Sequence, residues 1–340
     1  MKQIMMTSPG VIEYREVPFP EELKEHEVLL KIQKIGICGS DIHVYHGKHP
    51  AVVYPVVQGH EFSAVVEAVG KSVKNIVPGM RATARPQLVC GTCAPCRRGQ
   101  YNVCQELKVQ GFQAPGVAQE FFVFPDDRVV VFPDHVPFES GAMIEPVSVA
   151  VHAASRVSSL KGKNVVVSGA GTIGNLIAQM ALSKGANKVM ITDISNYRID
   201  IAKQCGIENV LNVKESSFKE KADSIFDKHG FQVGFEAAGE QQSLDILLKN
   251  IEKGSEIVIV GVYEKNPEVN MYYLGEHELI LTGSLMYRHE DYIEAVDVIA
   301  SGMIRLDPLI SKHFSFEEYK NAYLFIEKEK DKSMKVIIDM

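Results

Sequence analysis

The first part of the chain is patterned for strands. EVLLKIQKIGI, EFSAVVEAVG and DDRVVVFP are β-branched runs with partial period-two alternation, separated by turn residues, up to about residue 145. From about Val149 the texture changes. NVVVSG runs into the helical stretch TIGNLIAQMALSKG, and KVMITD runs into SNYRIDIAKQCG. ENVLNV, GFQVGFEAAG and GSEIVIVGV continue as strands, with the helical stretch QQSLDILLKNIE between two of them. Strand–helix alternation of this kind predicts a parallel, doubly wound sheet, so the fold class is α/β with a β-rich first part. Beyond Tyr287, EDYIEAVDVIASG and HFSFEEYKNAYLFIEKEK read as helices and MKVIIDM as a closing strand. KESSFKEKAD and EKEKDK read as solvated helix faces or turns.

A length of 340 residues suggests about two domains. Residues 1–148 with 288–340 are expected to form one domain and 149–287 the other. The formal charge of −7 brings no basic stripe, which argues against nucleic acid and against polybasic membrane anchoring. Residues 164–183 carry no charge, but Gly169, Gly171 and Gly174 interrupt them, so they read as strand–turn–helix rather than a membrane span. The first residues hold too short an apolar run for a secretion signal, so a cytoplasmic location is expected. Thiols stay reduced there, and a cysteine cluster then reads as a metal site.

Gly169-Ala170-Gly171-Thr172-Ile173-Gly174 follows a strand and opens a helix. In that setting the first glycine allows a tight turn, the second admits a pyrophosphate close to the backbone, and the third lets helix and strand approach. The helix N-terminus offers free N–H groups to the phosphates. The next strand ends on Asp193, whose carboxylate suits the ribose hydroxyls and repels a 2′-phosphate, favouring NAD over NADP. Arg198 is a candidate to cover the adenosine or else a surface residue. The competing reading of the glycines is a structural turn in another α/β protein.

Four of the six cysteines fall in Cys90-x2-Cys93-x2-Cys96-x7-Cys104, with Gly91, Pro95 and Gly99 to bend the loop. Four thiolates so close together suit tetrahedral zinc, and the spacing is not a usual iron–sulfur one. All four positions would be protein-filled, so this zinc is expected to be structural. Cys205 sits in a helical stretch and reads as core.

A second set of donors is scattered: Cys38, Ser40, Asp41 and His43 in GICGSDIH, His60 and Glu61 in GHE, and Glu145 in IEP. One thiolate, one imidazole and carboxylates can all ligate zinc. Taken singly, Cys38 reads equally as a core thiol, His60 as a satisfied histidine and Glu145 as an exposed acid. His60 and Glu61 would point to opposite faces of a regular strand, so joint ligation requires a departure from extended geometry that Gly59 permits.

In order and interval, GICGSDIH, GHE, the cysteine loop, IEP, GAGTIG and Asp193 together resemble the zinc-containing medium-chain dehydrogenases, nearly end to end. The resemblance implies a β-rich GroES-like catalytic domain, into which the C-terminal segment returns, and a Rossmann domain for NAD. It implies Cys38 and His60 as ligands of a second, catalytic zinc, with Glu61 a third ligand in the sorbitol-dehydrogenase-like branch. Glu145 matches a carboxylate that binds the metal directly or through water. Ethanol-type members carry cysteine at that position, so a polyol, sugar acid or vicinal diol is favoured over a simple primary alcohol.

The resemblance also assigns Ser40 and His43 to a proton relay running through the nicotinamide ribose hydroxyls, and Asp41 to orienting His60. Ala237, Gly261 and Leu285 fall where the family lines the nicotinamide pocket, and Tyr45 and Phe112 near substrate positions. One departure concerns the substrate. Where sorbitol dehydrogenases place a substrate-contacting arginine this chain has Met286, and Arg288 lies two residues later, facing either the cleft or solvent. The expected activity is reversible NAD-dependent oxidation of a secondary alcohol to a ketone. Its rivals are an amino-alcohol dehydrogenase of the L-threonine 3-dehydrogenase kind and, remotely, a non-enzymatic zinc-dependent binding module. Family likeness further implies a small-molecule substrate and a homodimer or homotetramer.

Overall fold

A computed structural model describes residues 1–227 and 230–340. The chain packs as two compact units. One comprises Met1–Glu145, Arg288–Ser301 and Ile310–Met340, and the other Pro146–Tyr287 with Gly302–Leu309.

The first unit is built on a seven-stranded sheet. Its spine is the strand Glu27–Ile37, which pairs antiparallel with Glu61–Val69 on one side and with Lys335–Asp339 on the other. Phe121–Pro125 joins the early half of the spine, Arg81–Ala84 and Val129–Val131 extend the sheet, and Ile310–Ser315 closes the far edge. The strands carry Val, Ile, Leu and Phe because both their pairing and their burial demand them. Val28, Leu30, Ile32, Ile35, Phe62, Val66, Phe124, Val336 and Ile338 form one core with the helix Tyr319–Lys328. The register brings three distant segments to one place. Gly36 lies opposite both Glu61 and Ile337, so the end of the spine strand, the start of the next strand and the start of the C-terminal strand meet.

Two parts of this unit differ from the sequence expectation. HFS, expected in a helix, completes the strand Ile310–Ser315; the helix begins only at Tyr319. GSDIHVY, in a region expected to hold strands and turns, is the helix Gly39–Tyr45.

Among the described residues, the second unit holds six parallel strands, in the spatial order Asn209–Asn212, Lys188–Asp193, Asn164–Ser168, Val233–Glu236, Glu256–Ile259 and Ile280–Gly283. Numbered along the chain this is 3-2-1-4-5-6, the doubly wound arrangement. Every residue of Asn164–Ser168 is buried, as expected of a central parallel strand. The uncharged stretch is this strand plus the helix Thr172–Ser183, and no helix among the described residues is long and apolar enough to cross a membrane.

Candidate active site

The nucleotide cradle lies at the carboxyl end of Asn164–Ser168, and each glycine there has its own reason. Gly169 has φ +107°, and a Cβ on it would meet the backbone of Ala237 and Ala238 at 2.9 Å. Gly171 caps the helix and faces open space, leaving its backbone approachable. A Cβ on Gly174 would come within 1.9 Å of the Gly169 carbonyl oxygen, so helix and turn could not close with any larger residue. Thr172 and Ile173 form the first turn. This is a backbone a pyrophosphate can sit on.

Asp193 is oriented by the main chain. Its Oδ2 accepts from Ala170 N at 2.7 Å, and its Oδ1 from Ile194 N and Ser195 N at 2.8 and 2.9 Å. A carboxylate has about four acceptor sites, so one remains for a ribose hydroxyl. Arg198 Nη1 stands 3.8 Å from Asp193 Oδ2. Nearby, Ala237 donates to Ser168 O, and Gly261 packs so tightly that a Cβ would strike Gly239 N and the buried Glu236. Leu285 is half exposed, and Met286 next to it has φ +50°.

The cysteine knuckle is assembled locally. Gly91 and Gly99, with φ +71° and +75°, turn the loop, and Pro95 starts a short helix, Ala94–Arg97, capped by Cys93. The four sulfurs lie within 4.8 Å of one another. Cys90 Sγ and Cys93 Sγ lie 3.5 and 3.9 Å from Cys104 Sγ. Those spacings match the edge of a zinc–thiolate tetrahedron, about 3.8 Å for a Zn–S bond of about 2.3 Å. Backbone N–H groups aim at the sulfurs: Cys93 N at Cys90, and Cys90 N and Glu106 N at Cys104. Hydrogen bonds from Thr92 and Cys93 N–H groups bring the Cys90 thiol down to about 6, while desolvation and the adjacent Cys93 push Cys96 up to about 12. The donor set fits zinc. Cys205, by contrast, is buried against Arg305 O, and desolvation pushes its thiol up to about 11.

The convergent part of the second donor set comes from two segments. Cys38 follows the spine strand and caps the helix Gly39–Tyr45, donating its N–H to Asp41 Oδ2 at 2.9 Å. Gly59, at φ +91°, kinks the chain so that the strand starts only at Glu61, with His60 outside it. The donor atoms of Cys38, His60 and Glu61 consequently converge within 4.8 Å. His60 is 5% exposed. Its Nδ1 faces Asp41 Oδ1 at 3.6 Å and has no hydrogen-bond partner, which leaves Nε2 for a metal. Burial works against protonation of this imidazole, but the Asp41 carboxylate outweighs it and holds the group well above its ordinary value.

Glu61 brings in a residue that the sequence pattern did not single out. Lys335, 3% exposed, reaches both its carboxylate oxygens at 2.7 and 2.5 Å and the Ile37 carbonyl at 3.3 Å. Burial opposes the Lys335 ammonium, and the Glu61 charge more than offsets it. Gly36 leaves the room: a Cβ there would lie 2.3 Å from Glu61 Oε2. The available signal was a lysine heading the strand KVIID, whose first four residues are all buried, because a buried ammonium needs a partner. Cys38 and His60 are thus donors that could hold zinc, while Glu61 is shared with Lys335.

Glu145 is buried near the start of the helix Ile144–Ala154 and acts through its charge on Lys335. It is not in the group that converges within 4.8 Å among the described residues. Ser40 and His43 lie one helical turn apart in Gly39–Tyr45, and so on one face. Phe112 is buried with its ring 5.0 Å from the His60 ring and stacked on His49, whereas Tyr45 packs against Tyr323. Arg288 caps the helix His289–Ala300, with Nε 4.0 Å from Asp291.

A dinucleotide cradle on one unit and a Cys–His–Glu donor set with its His60 and Glu61 buried on the other define a nicotinamide- and zinc-dependent oxidoreductase. Residues 24–134 match the alcohol dehydrogenase GroES-like domain, and residues 172–301 match the zinc-binding dehydrogenase family. Sorbitol dehydrogenase of Bacillus subtilis is 30% identical over 99% of this chain and 97% of that protein. An L-threonine 3-dehydrogenase of Protochlamydia amoebophila is 32% identical over 94% and 93%. The crystal structure of galactitol-1-phosphate dehydrogenase from Escherichia coli, 30% identical, superposes with a TM-score of 0.91 and full coverage of both chains. The chain belongs to the zinc-containing medium-chain dehydrogenases, in the polyol-dehydrogenase-like branch, and is an NAD-dependent oxidoreductase acting on CH–OH.

Proposed function

We propose that the protein oxidises, reversibly and with NAD, a secondary hydroxyl of a polyol, sugar acid or vicinal diol to the ketone. The observation that carries this reading is the convergence of half-buried Cys38 with buried His60 and Glu61 within 4.8 Å, with Glu145 where an ethanol-type enzyme would carry a cysteine. Bound zinc supplies Lewis acidity that makes the alcohol a stronger acid, and NAD supplies the hydride acceptor. The residues of the chain do the rest. Cys38 and His60 hold the metal, with Glu61 and Glu145 as further carboxylates at the site. The Asp41 charge, 3.6 Å from Nδ1, favours the His60 proton on that nitrogen. Ser40 takes the proton of the substrate hydroxyl, and His43, one turn along the same helix face, passes it to solvent. On the other unit, the Gly169–Gly174 turn holds the pyrophosphate, Asp193 receives the ribose hydroxyls and excludes a 2′-phosphate, and Arg198 covers the adenosine. Ala237, Gly261 and Leu285 border the nicotinamide.

The test is NADH production from the zinc-loaded protein on sorbitol, galactitol, 2,3-butanediol, sugar acids and threonine. Turnover confined to polyols, diols or sugar acids supports the reading. Preference for threonine selects the second reading, an amino-alcohol dehydrogenase, which the 32% identity to an L-threonine 3-dehydrogenase favours. No NADH from any of these refutes both.

A further inference from the structure

Asp41 is gripped from a side that the metal-ligand pattern does not use. Its Oδ2 is taken by Cys38 N, and its Oδ1, which faces His60, also accepts from Gln58 Nε2 at 3.3 Å. The same Nε2 reaches the Asp41 carbonyl oxygen at 3.3 Å. The other end of the amide, Gln58 Oε1, accepts the Tyr323 hydroxyl at 2.9 Å, and the Tyr319 hydroxyl lies 3.4 Å from that of Tyr323. All of these side chains are buried; Tyr323 has no exposure at all. The string thus runs from the helix Tyr319–Lys328, through the segment before Glu61, to the imidazole of the donor set.

Its direction follows from donor and acceptor chemistry. A carbonyl oxygen cannot donate, so Tyr323 must give its proton to Gln58 Oε1, and its own oxygen is then free to accept from Tyr319. That bond fixes which way the amide points. Turned over, Gln58 would set its oxygen against Asp41 Oδ1, two acceptors facing each other out of water, which is costly. Held as it is, the amide delivers N–H groups to both the carboxylate and the carbonyl of Asp41. A string whose donors all point one way strengthens each member. Nothing in binding NAD or in passing a proton calls for a glutamine at position 58 or a hydroxyl at position 323.

We infer that Gln58 and Tyr323 are positioning residues of the catalytic metal site: Tyr323 locks the Gln58 amide, Gln58 holds Asp41 against His60, and the pair sets how firmly the Cys38–His60–Glu61 site retains its metal. The inference rests on the reading that Cys38 and His60 hold zinc. Its test is zinc release from the full-length, zinc-loaded protein to a chromogenic chelator, for wild type, Gln58→Met, Tyr323→Phe and the double variant. Both substitutions keep side-chain volume, and the Cys38→Ser protein identifies which kinetic phase belongs to the second site. Each single variant is expected to speed release from that site about tenfold, the scale for outer partners of metal ligands, with the cysteine-knuckle phase unmoved. The double variant should release no faster than Gln58→Met, because Tyr323 acts through Gln58. Wild-type release rates in both singles, equal acceleration of the knuckle phase, or multiplied effects in the double variant would each overturn the inference while leaving the zinc assignment standing. A wild-type protein that takes up one zinc, in the knuckle alone, overturns the assignment and the inference together.

Discussion

The two donor sets of the first unit are made in opposite ways. The knuckle takes four identical ligands from one short loop, bends that loop with Gly91 and Gly99, and surrounds its sulfurs with backbone N–H groups. The other set takes three different ligands from two segments, buries His60 and Glu61, leaves Cys38 half-buried, and sets Asp41 beside His60 and Lys335 beside Glu61. Four thiolates fill a tetrahedron and leave nothing to exchange. The set of Cys38, His60 and Glu61 offers only three donors, one of them already held by Lys335, so a metal there would keep an open position. The lesson is that the number of ligands sets whether a position stays open, and that their burial and pairing distinguish the open set further from the closed one.

Exchanging one ligand in each set should break the molecule in two different ways. Cys38→Ser is expected to lower turnover by about a hundredfold to a thousandfold, the scale lost with a main electrostatic group of an active site. NAD binding, measured by fluorescence titration, should persist, because the Gly169 turn lies in the other unit. Wild-type turnover would sink the assignment. Cys96→Ser should do the reverse. Losing a zinc held a thousandfold above its Kd costs about 4 kcal/mol of stability. Turnover per folded molecule should stay within about twofold, since remote sites behave independently. A knuckle variant that unfolds no more easily than wild type would show that the loop needs no metal.

Lys335→Met sharpens the contrast on the buried side. Removing one partner of a buried pair leaves the other charge uncompensated and costs about 3–5 kcal/mol. That cost should appear in full in the metal-free protein and shrink when zinc is added, because Glu61, freed from Lys335, gains a cation to turn to. The measurement is the rise in Tm on zinc addition, which should be larger in the variant than in wild type. An equal rise in both would mean that Glu61 does not turn to the metal when released.

How much of the molecule is legible in its sequence divides along the same line. The knuckle and the glycine turn are local, so spacing alone carries them; the 1.9 Å approach at Gly174 is the physical content of the third glycine. The parallel sheet follows from alternation with helices, whereas its strand order rests on pairing between distant segments. Lys335, Gln58 and Tyr323 are not legible, because each is explained only by a partner far along the chain: Lys335 by Glu61, and Gln58 by Asp41 on one side and Tyr323 on the other. The strand Ile310–Ser315 is hidden in a helical pattern for a similar reason, since its pairing with Lys335–Asp339 is not local. A cue is nonetheless present: Ser315 and Glu318 form a capping box, which marks where the helical turns start. The helix Gly39–Tyr45 is hidden by its length, seven residues with only one acidic group in the first turn.

The smallest effect concerns protons at the knuckle. Cys90 titrates in the folded chain at about 6, below the ordinary 9.0. Between those values the unfolded chain binds the extra proton, so this thiol contributes stability that is complete above 9.0 and is lost as pH falls through about 6. Cys96, pushed up to about 12, has the opposite sign: the folded chain keeps its proton longer, and stability falls as pH rises from 9.0 toward 12. The metal-free protein should therefore show a shallow contribution from this loop that peaks near pH 9. Zinc requires all four thiolates, so loading the loop should remove the alkaline decline and carry the acid limb to lower pH. Chemical denaturation across the pH range, on metal-free and zinc-loaded protein, measures the difference. Cys90→Ser should flatten the acid limb of the metal-free curve; an acid limb unchanged in that variant would place the titrating group elsewhere.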